Sequence, residues 1–294
     1  MMSKFLSSLL LFSALTMSPA DAAGVSPTGN KILVVLSSEN KITLKEGITH
    51  PTGYFLSELM VAADELLKAG FELEFANPRG NAPAMDSVSD SAMWFGGDET
   101  EYRRIRALHD SLPGLKKPLR LAEVRAQDIS QYAALFVPGG HAPMEDLTQD
   151  PDLGELLKAF HAARKPTALI CHGPIALLSS LPQAARFVET VAAGAAPAAD
   201  LTQDWIYAGY RMTAFSTKEE QQEESGQDNV LGGFVRFYPD EALGLAGGIS
   251  VVRANKWNSH VVRDRELITA QNPMSDKEFA RELLGALAEK SGKR

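Results

Sequence analysis

The sequence predicts an α/β domain in which helices cover a mainly parallel sheet. From residue 31 onward, short apolar runs rich in β-branched residues alternate with longer segments of helical periodicity, the pattern of strand–helix–strand units. The length of 294 residues allows one or two domains with a buried core. The content of 45% hydrophobic and 22% charged residues is typical of globular proteins and excludes a disordered or multi-span membrane chain.

This pattern predicts six strands and three helices. The first helix has one apolar stripe and ends at Gly70, which completes a right-handed strand–helix–strand unit. Ser275 is the expected N-cap of the last helix. The predicted strands cover residues 31–37, 71–76, 133–137, 167–170, 211–215 and 249–253, and the later helices cover 152–164 and 275–290.

Three longer segments interrupt the alternation, over residues 81–115, 181–210 and 219–245. The first two carry aromatic residues among glycine, proline, alanine and charged residues. Long insertions of this kind are expected to cover a functional site. The aromatic residues concerned are Trp94, Phe95, Trp205 and Tyr207.

The N-terminus has the features of a signal peptide. Lys4 precedes an apolar run over residues 5–17, and Ala20-Asp21-Ala22 provides a small-residue cleavage pattern. The run is shorter than the roughly 20 residues that a membrane-spanning helix needs. We therefore expect residues 1–22 to be removed and residues 23–294 to be exported without a membrane anchor, to the periplasm in a Gram-negative source.

Charge and cysteine content exclude several classes of function. The net charge is −8 and no long basic run is present, so nucleic acid is not an expected partner. A single cysteine, Cys171, excludes an intramolecular disulfide and any multi-thiolate metal site. The thiol is then either a buried inert side chain or a nucleophile.

The sequence around Cys171 predicts a nucleophile at a strand-to-helix turn. The strand over 167–170 runs directly into Cys171-His172-Gly173-Pro174, and proline is frequent in the first turn of a helix. Such an elbow lifts its side chain above the carboxyl edge of the sheet, where the helix N-terminus favours a thiolate. A buried cysteine at the end of a core strand is the alternative.

A second turn is expected at the same sheet edge. The strand over 133–137 is followed by Pro138-Gly139-Gly140-His141. Glycine leaves backbone N–H groups unhindered, as an oxyanion site requires. A Gly-Gly turn is also a common way to leave a strand.

These motifs together carry a family resemblance. Gly139-Gly140-His141, Cys171-His172-Gly173-Pro174 and the late segment 267–273 resemble the ThiJ/PfpI superfamily, in particular its branch of larger heat-inducible chaperones and glutathione-independent glyoxalases (glyoxalase III, or D-lactate dehydratase). The resemblance covers about residues 31–288. It implies a flavodoxin-like core, similar to class I glutamine amidotransferases, with cover insertions and a homodimer.

The resemblance also implies a Cys–His–acid triad and an assisting glutamate. Cys171 and His172 match the first two triad positions. Glu220 matches the acid, five positions after Phe215, and Glu219 is the alternative if the register is shifted by one.

The assisting glutamate matches Glu58, in the first helix after Gly53. Its position alone allows two interpretations: a surface carboxylate at a helix N-terminus, or a buried acid–base group whose pKa is raised beside the thiol. Two positions depart from the family pattern, because Ala270 and Arg265 stand where glycine is usual. Both are expected in a strand and a turn away from the thiol.

The predicted function is that of a cofactor-free, metal-free enzyme acting on a small dicarbonyl such as methylglyoxal. The Cys171 thiolate would attack the aldehyde, and the backbone N–H groups of Gly140 and His172 would hold the oxyanion. His172 or Glu58 would move a proton through an enediol, and hydrolysis of the thioester would release lactate.

Other functions remain as alternatives. A holdase chaperone would not depend on Cys171, and another cysteine-dependent hydrolase, such as a peptidase, or a hydratase would share the elbow. A glutamine amidotransferase needs a downstream His-x-Glu pair, whereas His260 is followed by two valines. His260 and the other isolated histidines, His50, His109 and His161, are expected to be surface or hydrogen-bonded core residues.

Overall fold

The computed structural model describes residues 29–225, 230–290 and 292. The predicted signal peptide over residues 1–22 lies outside these ranges. No helix within them combines the length and hydropathy needed to cross a bilayer.

The strands found in these ranges are β1 Lys31–Val35, β2 Lys41–Thr43, β3 Thr49–Pro51, β4 Glu72–Asn77, β5 Leu119–Arg120, β6 Tyr132–Val137, β7 Thr167–Ile170, β8 Arg211–Met212, β9 Ile249–Ser250, β10 Val261–Asp264 and β11 Leu267–Ala270. The α-helices are α1 Leu56–Lys68, α2 Glu99–Ser111, α3 Pro113–Lys116, α4 Leu121–Arg125, α5 Pro151–Ala162, α6 Ala184–Ala192, α7 Ala199–Thr202, α8 Thr217–Ser225, α9 Pro239–Leu245 and α10 Asp276–Lys290. Short 3₁₀ helices cover Ser87–Ser89, Ala92–Phe95, Ile129–Gln131, Ala142–Met144, Gly173–Ser180 and Pro273–Ser275.

A seven-stranded sheet with the order β10-β11-β7-β6-β1-β4-β5 forms the centre of the fold. All neighbours are parallel except β10, which runs antiparallel to β11. Taken in chain order, the central strands β4, β1, β6, β7 and β11 run 2-1-3-4-5, the order of flavodoxin-like folds. The order in which strands are added reverses between β1 and β6: β4 is added on one side of β1, and β6 and the later strands on the other. In sheets of this type, ligands bind beyond the carboxyl ends of the strands at the point of reversal.

Alternate residues of the strands face two helical layers. Ile32 and Val34 of β1 are buried in the cluster that contains α1 and α10 residues. Leu33 and Val35 are buried in the cluster that contains α5 and the 3₁₀ helix after Cys171. The predicted α/β fold, with helices on both faces of a parallel sheet, is therefore confirmed.

Four of the six predicted strands lie in the main sheet, and the segments over 211–215 and 249–253 do not. There β8 and β9 pair only with each other. The reason is that the N–H of Thr213 donates to the Thr269 hydroxyl, at 2.9 Å, while β11 occupies the position beside β7.

The three predicted helices are present as α1, α5 and α10. Gly70 follows α1 with a φ of +88°, a conformation that glycine adopts without strain. Ser275 lies in the 3₁₀ helix before α10, and its hydroxyl accepts a hydrogen bond from His260 N–H at 3.0 Å. The expected N-cap at Ser275 is therefore replaced by a link between two segments.

The insertions differ in what they cover. Residues 81–115 form two 3₁₀ helices, α2 and most of α3. In the segment 181–210, Trp205 is buried and donates from its indole N–H to Ser180 Oγ at 2.9 Å. The aromatic side chains of that segment belong to the core.

Candidate active site

Cys171 lies at a strained elbow directly after β7. Its φ is +61°, which is unusual for a residue with a Cβ and is common at functional sites. Its N–H donates to Ala270 O and its carbonyl accepts from Phe215 N–H, both at 2.8 Å. Neighbouring segments therefore hold the elbow on both sides.

The expectation that Ala270 lies away from the thiol is wrong. Because β11 runs parallel to β7 with Ala270 opposite Ile170, its carbonyl reaches the N–H of Cys171. Arg265 lies at the other end of β11, with a φ of +58°. This turn therefore does require the left-handed conformation for which glycine is usual.

The elbow brings the thiol to His172 and Glu220. Cys171 Sγ is 3.3 Å from His172 Nδ1, and His172 Nε2 is 2.7 Å from Glu220 Oε2 in α8. All three side chains are buried. Glu219 faces elsewhere and accepts hydrogen bonds from Gln271 and Asn272, so Glu220 is the carboxylate in contact with His172.

The protonation of this group follows from Glu220. Burial alone would raise the pKa of Glu220, but the charges and hydrogen bonds of His141 and His172 lower it. An ionised carboxylate only accepts hydrogen bonds, so His172 donates through Nε2. Burial, assisted by the charge of His141, lowers the pKa of His172. His172 is thus a neutral base with its Nδ1 lone pair toward Sγ.

His141 contacts the same carboxylate. Its Nε2 is 2.8 Å from Glu220 Oε1, and its ring centroid is 4.1 Å from that of His172. Burial would lower the pKa of His141, but the charge of Glu220 and the hydrogen bond to it raise it. Sequence reasoning assigned His141 to oxyanion or substrate binding. The structure places its Nε2 on Glu220, and the residue also lines the cavity described below.

Glu58 lies in the first turn of α1 with its carboxyl toward the thiol. Its Oε2 accepts a hydrogen bond from Gly139 N–H at 2.8 Å, so Gly139 positions this acid and its N–H is not free for an oxyanion. Oε1 has no hydrogen-bond partner among the described residues. Burial raises the pKa of Glu58 to about 8, although Gly139 and the thiol of Cys171 act against it.

The thiol and Glu58 influence each other's protonation. Burial and the negative charge of Glu58 raise the pKa of Cys171, and Gly140 N–H acts in the opposite direction. The sequence predicted that a helix N-terminus would favour the thiolate. In the structure, burial and the charge of an ionised Glu58 have the larger effect on the pKa of Cys171, and both favour the neutral thiol. Because ionisation of either group disfavours ionisation of the other, the thiolate forms when Glu58 keeps its proton.

Gly140 is the remaining oxyanion candidate of the turn. Its φ is +88°, and a Cβ at this position would lie 2.0 Å from Gly53 O. Only glycine fits such a backbone. Its N–H interacts with the Cys171 thiol, so it lies where a carbonyl carbon bound to sulfur would present its oxygen.

The site opens into a narrow cavity that has space of about 60 Å³ for water-sized molecules. Two aromatic pairs form its walls: Phe55 with Trp94, at 4.8 Å between ring centroids, and Phe215 with Trp257, at 5.7 Å. The other lining residues are His50, Asp86, Val88, Gly140, His141, Cys171, His172, Glu223, Val230, Leu231 and Pro273. The insertions over 81–115 and 219–245 therefore reach the cavity, and the one over 181–210 does not.

Sequence reasoning missed several of these residues. His50, expected to be an ordinary core or surface histidine, lines the cavity. Trp257 has a φ of +60°, which marks a strained position, but no sequence motif surrounds it. The position of His141 directly after the glycine turn was the one available signal for its contact with the triad.

Three side chains form a cluster of residue types that commonly bind metal ions. His141, His172 and Glu220 offer ligand atoms within 4.8 Å of one another, the one such cluster found in the described ranges. These atoms are already hydrogen-bonded to each other. The arrangement is that of a proton relay rather than of an open metal centre.

The chain is similar to several known proteins. Residues 48–188 match the DJ-1/PfpI family. The protein/nucleic acid deglycase HchA of Pseudomonas aeruginosa is 28% identical over 274 residues, which cover 90% of this chain and 81% of that protein. HchA of Staphylococcus aureus is 25% identical, over 88% of this chain and 82% of that protein.

Glyoxalase III of Candida albicans shares the fold, with a TM-score of 0.59 at 18% identity over 87% of this chain and 96% of that chain. The matched family segment includes Glu58, the glycine turn and the Cys171 elbow. Residues 48–188 therefore form a DJ-1/PfpI family domain, and the similarity to HchA over most of the chain supports the branch of the larger members of that family.

Proposed function

We propose that this protein is a glutathione-independent glyoxalase that converts methylglyoxal, or a related small dicarbonyl, into a hydroxy acid. The observation that carries the proposal is the position of Cys171. Its thiol lies between a neutral histidine base, His172, and a protonated acid, Glu58, at one end of a narrow cavity. Similarity to HchA proteins supports an enzyme of this superfamily.

The first step forms a carbon–sulfur bond. His172 Nδ1 accepts the thiol proton, and the thiolate of Cys171 adds to the aldehyde carbon of the substrate. The carbonyl oxygen becomes an alkoxide that the N–H groups of Gly140 and His172 stabilise. Proton transfer from His172 to this oxygen gives the hemithioacetal and restores the neutral base.

The second step moves a hydrogen between two carbons. His172 removes the proton from the sulfur-bearing carbon while Glu58 protonates the oxygen of the neighbouring ketone, which gives an enediol. His172 returns its proton to the second carbon while the Glu58 carboxylate takes the hydroxyl proton of the sulfur-bearing carbon, which yields a thioester and restores both groups. The first carbon is oxidised and the second reduced, so no external oxidant is consumed. Water then cleaves the carbon–sulfur bond and releases the hydroxy acid and the thiol.

The protonation states support this division of roles. A base must be neutral and an acid protonated at the working pH. The pKa of His172 is lowered by burial, whereas the pKa of Glu58 is raised to about 8. Sequence reasoning left open whether His172 or Glu58 is the base, and the directions of these two pKa shifts favour His172.

The cavity supports a small substrate. A buried water occupies about 10–15 Å³ of such space, so about 60 Å³ accommodates only a few non-hydrogen atoms. This size suits a short dicarbonyl and disfavours a peptide. The walls of Trp94 and Trp257 also limit the access of water to the thiol.

The test is to incubate the reduced protein, residues 23–294, with methylglyoxal and no glutathione, and to follow D-lactate. Cys171→Ser is the paired control. We expect lactate from the parent in the presence of a chelator and none from the variant. A folded, reduced parent that forms no lactate, with or without added divalent metal, contradicts the proposal. A holdase activity, in contrast, would survive Cys171→Ser.

Deglycation is the second candidate, because the HchA relatives carry that name. The two functions differ in rate. A glyoxalase consumes only methylglyoxal that an adduct releases spontaneously, so lactate formation from a preformed guanosine adduct cannot exceed that release. A deglycase would accelerate the release itself. The same assay with glycated nucleic acid tests the expectation that nucleic acid is not a partner.

A further inference from the structure

We propose that His141 is a positioning residue that shares the Glu220 carboxylate with His172 and thereby keeps His172 a neutral base with Nδ1 toward the thiol. The inference deepens the proposed function and rests on it for the activity measurement. Its structural measurement does not require any particular substrate.

The carboxylate of Glu220 forms a bridge between two imidazoles. Oε1 is 2.8 Å from His141 Nε2, and Oε2 is 2.7 Å from His172 Nε2. The carboxylate is fully buried, so each oxygen depends on one histidine for its hydrogen bond. Loss of His141 would leave Oε1 as a buried acceptor without this partner, which favours rotation of the carboxylate away from His172.

The backbone fixes His141 at this position. It directly follows Gly140, whose left-handed conformation leaves no space for a side chain. Phe215 stacks on the His172 ring at 4.6 Å between centroids and holds its plane. The bridge through Glu220 therefore connects three separate parts of the chain: the turn after β6, the elbow after β7 and helix α8.

The surrounding charges distribute the protons between the two rings. Acidic groups favour a proton on His141, and a charged His141 then disfavours a second proton on His172. Consistent with this, Glu220 raises the pKa of His141 despite burial, while the pKa of His172 is lowered. The titratable groups that interact with the two rings are Glu220, Asp86, Glu223, His50 and Cys171, with Glu58 beside the thiol.

The first measurement is an NMR titration of ¹⁵N-labelled histidines in the Cys171→Ser protein. The parent variant should show His172 as the Nε2–H tautomer with a low titration midpoint. Adding His141→Gln keeps an N–H donor for Glu220 but removes the positive charge. We expect the His172 midpoint to rise by about one pH unit or more.

Two further variants separate charge from structure. His141→Lys keeps a positive charge beside Glu220, so the His172 midpoint should stay close to that of the parent. His161→Gln is the matched control, because His161 also pairs with a glutamate, Glu266 at 2.7 Å, away from the cavity. It should leave the His172 midpoint unchanged.

An unchanged His172 midpoint in His141→Gln, or an equal rise in His141→Lys, would overturn the inference. If His141→Gln does not fold by circular dichroism, His141→Asn, which also carries an amide donor and no charge, takes its place with the same expected rise and the same overturning result.

The second measurement is the pH profile of kcat/KM with methylglyoxal. His141→Gln should move the acidic limb upward with little change in KM. Lactate formation with an unshifted His172 midpoint contradicts only the role of His141. A shifted midpoint without lactate formation contradicts only the proposed function.

Discussion

Glu219 and Glu220 are consecutive residues of α8 whose carboxylates hold different parts of the site. Glu220 accepts hydrogen bonds from the two histidines of the relay. Glu219 accepts from the backbone N–H of Trp257 at 2.9 Å and from Asn272 Nδ2 at 2.7 Å. One carboxylate therefore orients the base, and its neighbour fixes an aromatic wall of the cavity.

This difference predicts distinct effects of the two glutamine variants. In Glu219→Gln, the new amide NH₂ would face groups that themselves donate hydrogen bonds, such as Asn272 Nδ2. We therefore expect a loss of about 1–3 kcal/mol in the free energy of unfolding. We also expect a raised KM, because the backbone of the cavity residue Trp257 is held less firmly. In Glu220→Gln, the relay loses its anion, and kcat should fall roughly 10²–10⁴-fold. Urea unfolding and steady-state kinetics measure both. An equal loss of kcat in the two variants would contradict this assignment.

Glu58→Gln should make the thiol more acidic while it abolishes turnover. The amide oxygen can still accept the hydrogen bond from Gly139 N–H, but the negative charge that raises the pKa of Cys171 is gone. The midpoint for alkylation of Cys171 by iodoacetamide should therefore move to lower pH, by about one unit or more. Ser57→Ala, the adjacent buried hydroxyl without a partner in the described residues, is the control. A midpoint that stays or rises would show that Glu58 does not act on the thiol.

The sequence predicted the elements that carry the thiol because their signals are local. The run from an apolar strand into Cys171-His172-Gly173-Pro174 determines an elbow whatever the rest of the chain does. The stripe of the first helix likewise places Glu58 in the first turn of that helix. The family pattern then identified Glu220, and the structure shows that this carboxylate contacts His172.

Non-local contacts account for what the sequence missed. The pairing of β11 with β7 brings the Ala270 carbonyl to the backbone N–H of Cys171, and no local pattern encodes which strand takes that edge. The segment over 211–215 has strand composition, but Thr269 and Cys171 take two of its N–H groups. Trp257 reaches the cavity only because Glu219, far away in the chain, fixes its backbone.

Stability should decrease as pH rises from about 5 to about 8. The pKa of Glu58 is raised from 4.5 to about 8 in the folded protein, so folding favours its protonated form. This contribution is fully present below the unfolded pKa and is lost as pH rises through the folded pKa. Asp146 and Asp276, with pKa values raised to about 6, act in the same direction.

The free energy of unfolding in urea, measured across this range, tests the decrease. Glu58→Gln should flatten the slope above about pH 7, where the two aspartates are ionised in both states and contribute little more. An identical slope in the variant would mean that Glu58 is not the titrating group. The lowered pKa values of His172 and His50 act in the opposite direction, because the unfolded imidazoles bind protons that the folded ones do not. Above about pH 7 the unfolded histidines are mostly neutral, so the decrease caused by Glu58 is measured there. The lowered pKa of Glu220 acts only at acid pH.

Export, which we propose from the N-terminal sequence, predicts a mature protein that begins at Ala23. The full chain expressed in a Gram-negative host should be recovered from the periplasmic fraction, and Edman sequencing gives its first residue. Ala22→Leu places a bulky residue in the cleavage pattern and should leave the precursor uncut. A cytoplasmic protein with an intact N-terminus would contradict the proposal.

Trp257→Ala should widen the range of substrates rather than abolish the chemistry. The Trp257 ring packs edge-on against Phe215 and lines the cavity, but it does not touch the Cys171–His172–Glu220 relay. Its removal enlarges a space of about 60 Å³. The ratio of kcat/KM for phenylglyoxal to kcat/KM for methylglyoxal should therefore be roughly 10-fold or more higher in the variant than in the parent. Apolar pockets discriminate between substrates by size on this scale. Trp94→Ala, in the other aromatic pair of the cavity, provides the comparison, and Trp257→Phe should retain most of the parent selectivity. If phenylglyoxal and methylglyoxal lose activity in equal proportion, the wall supports the elbow and does not select the substrate.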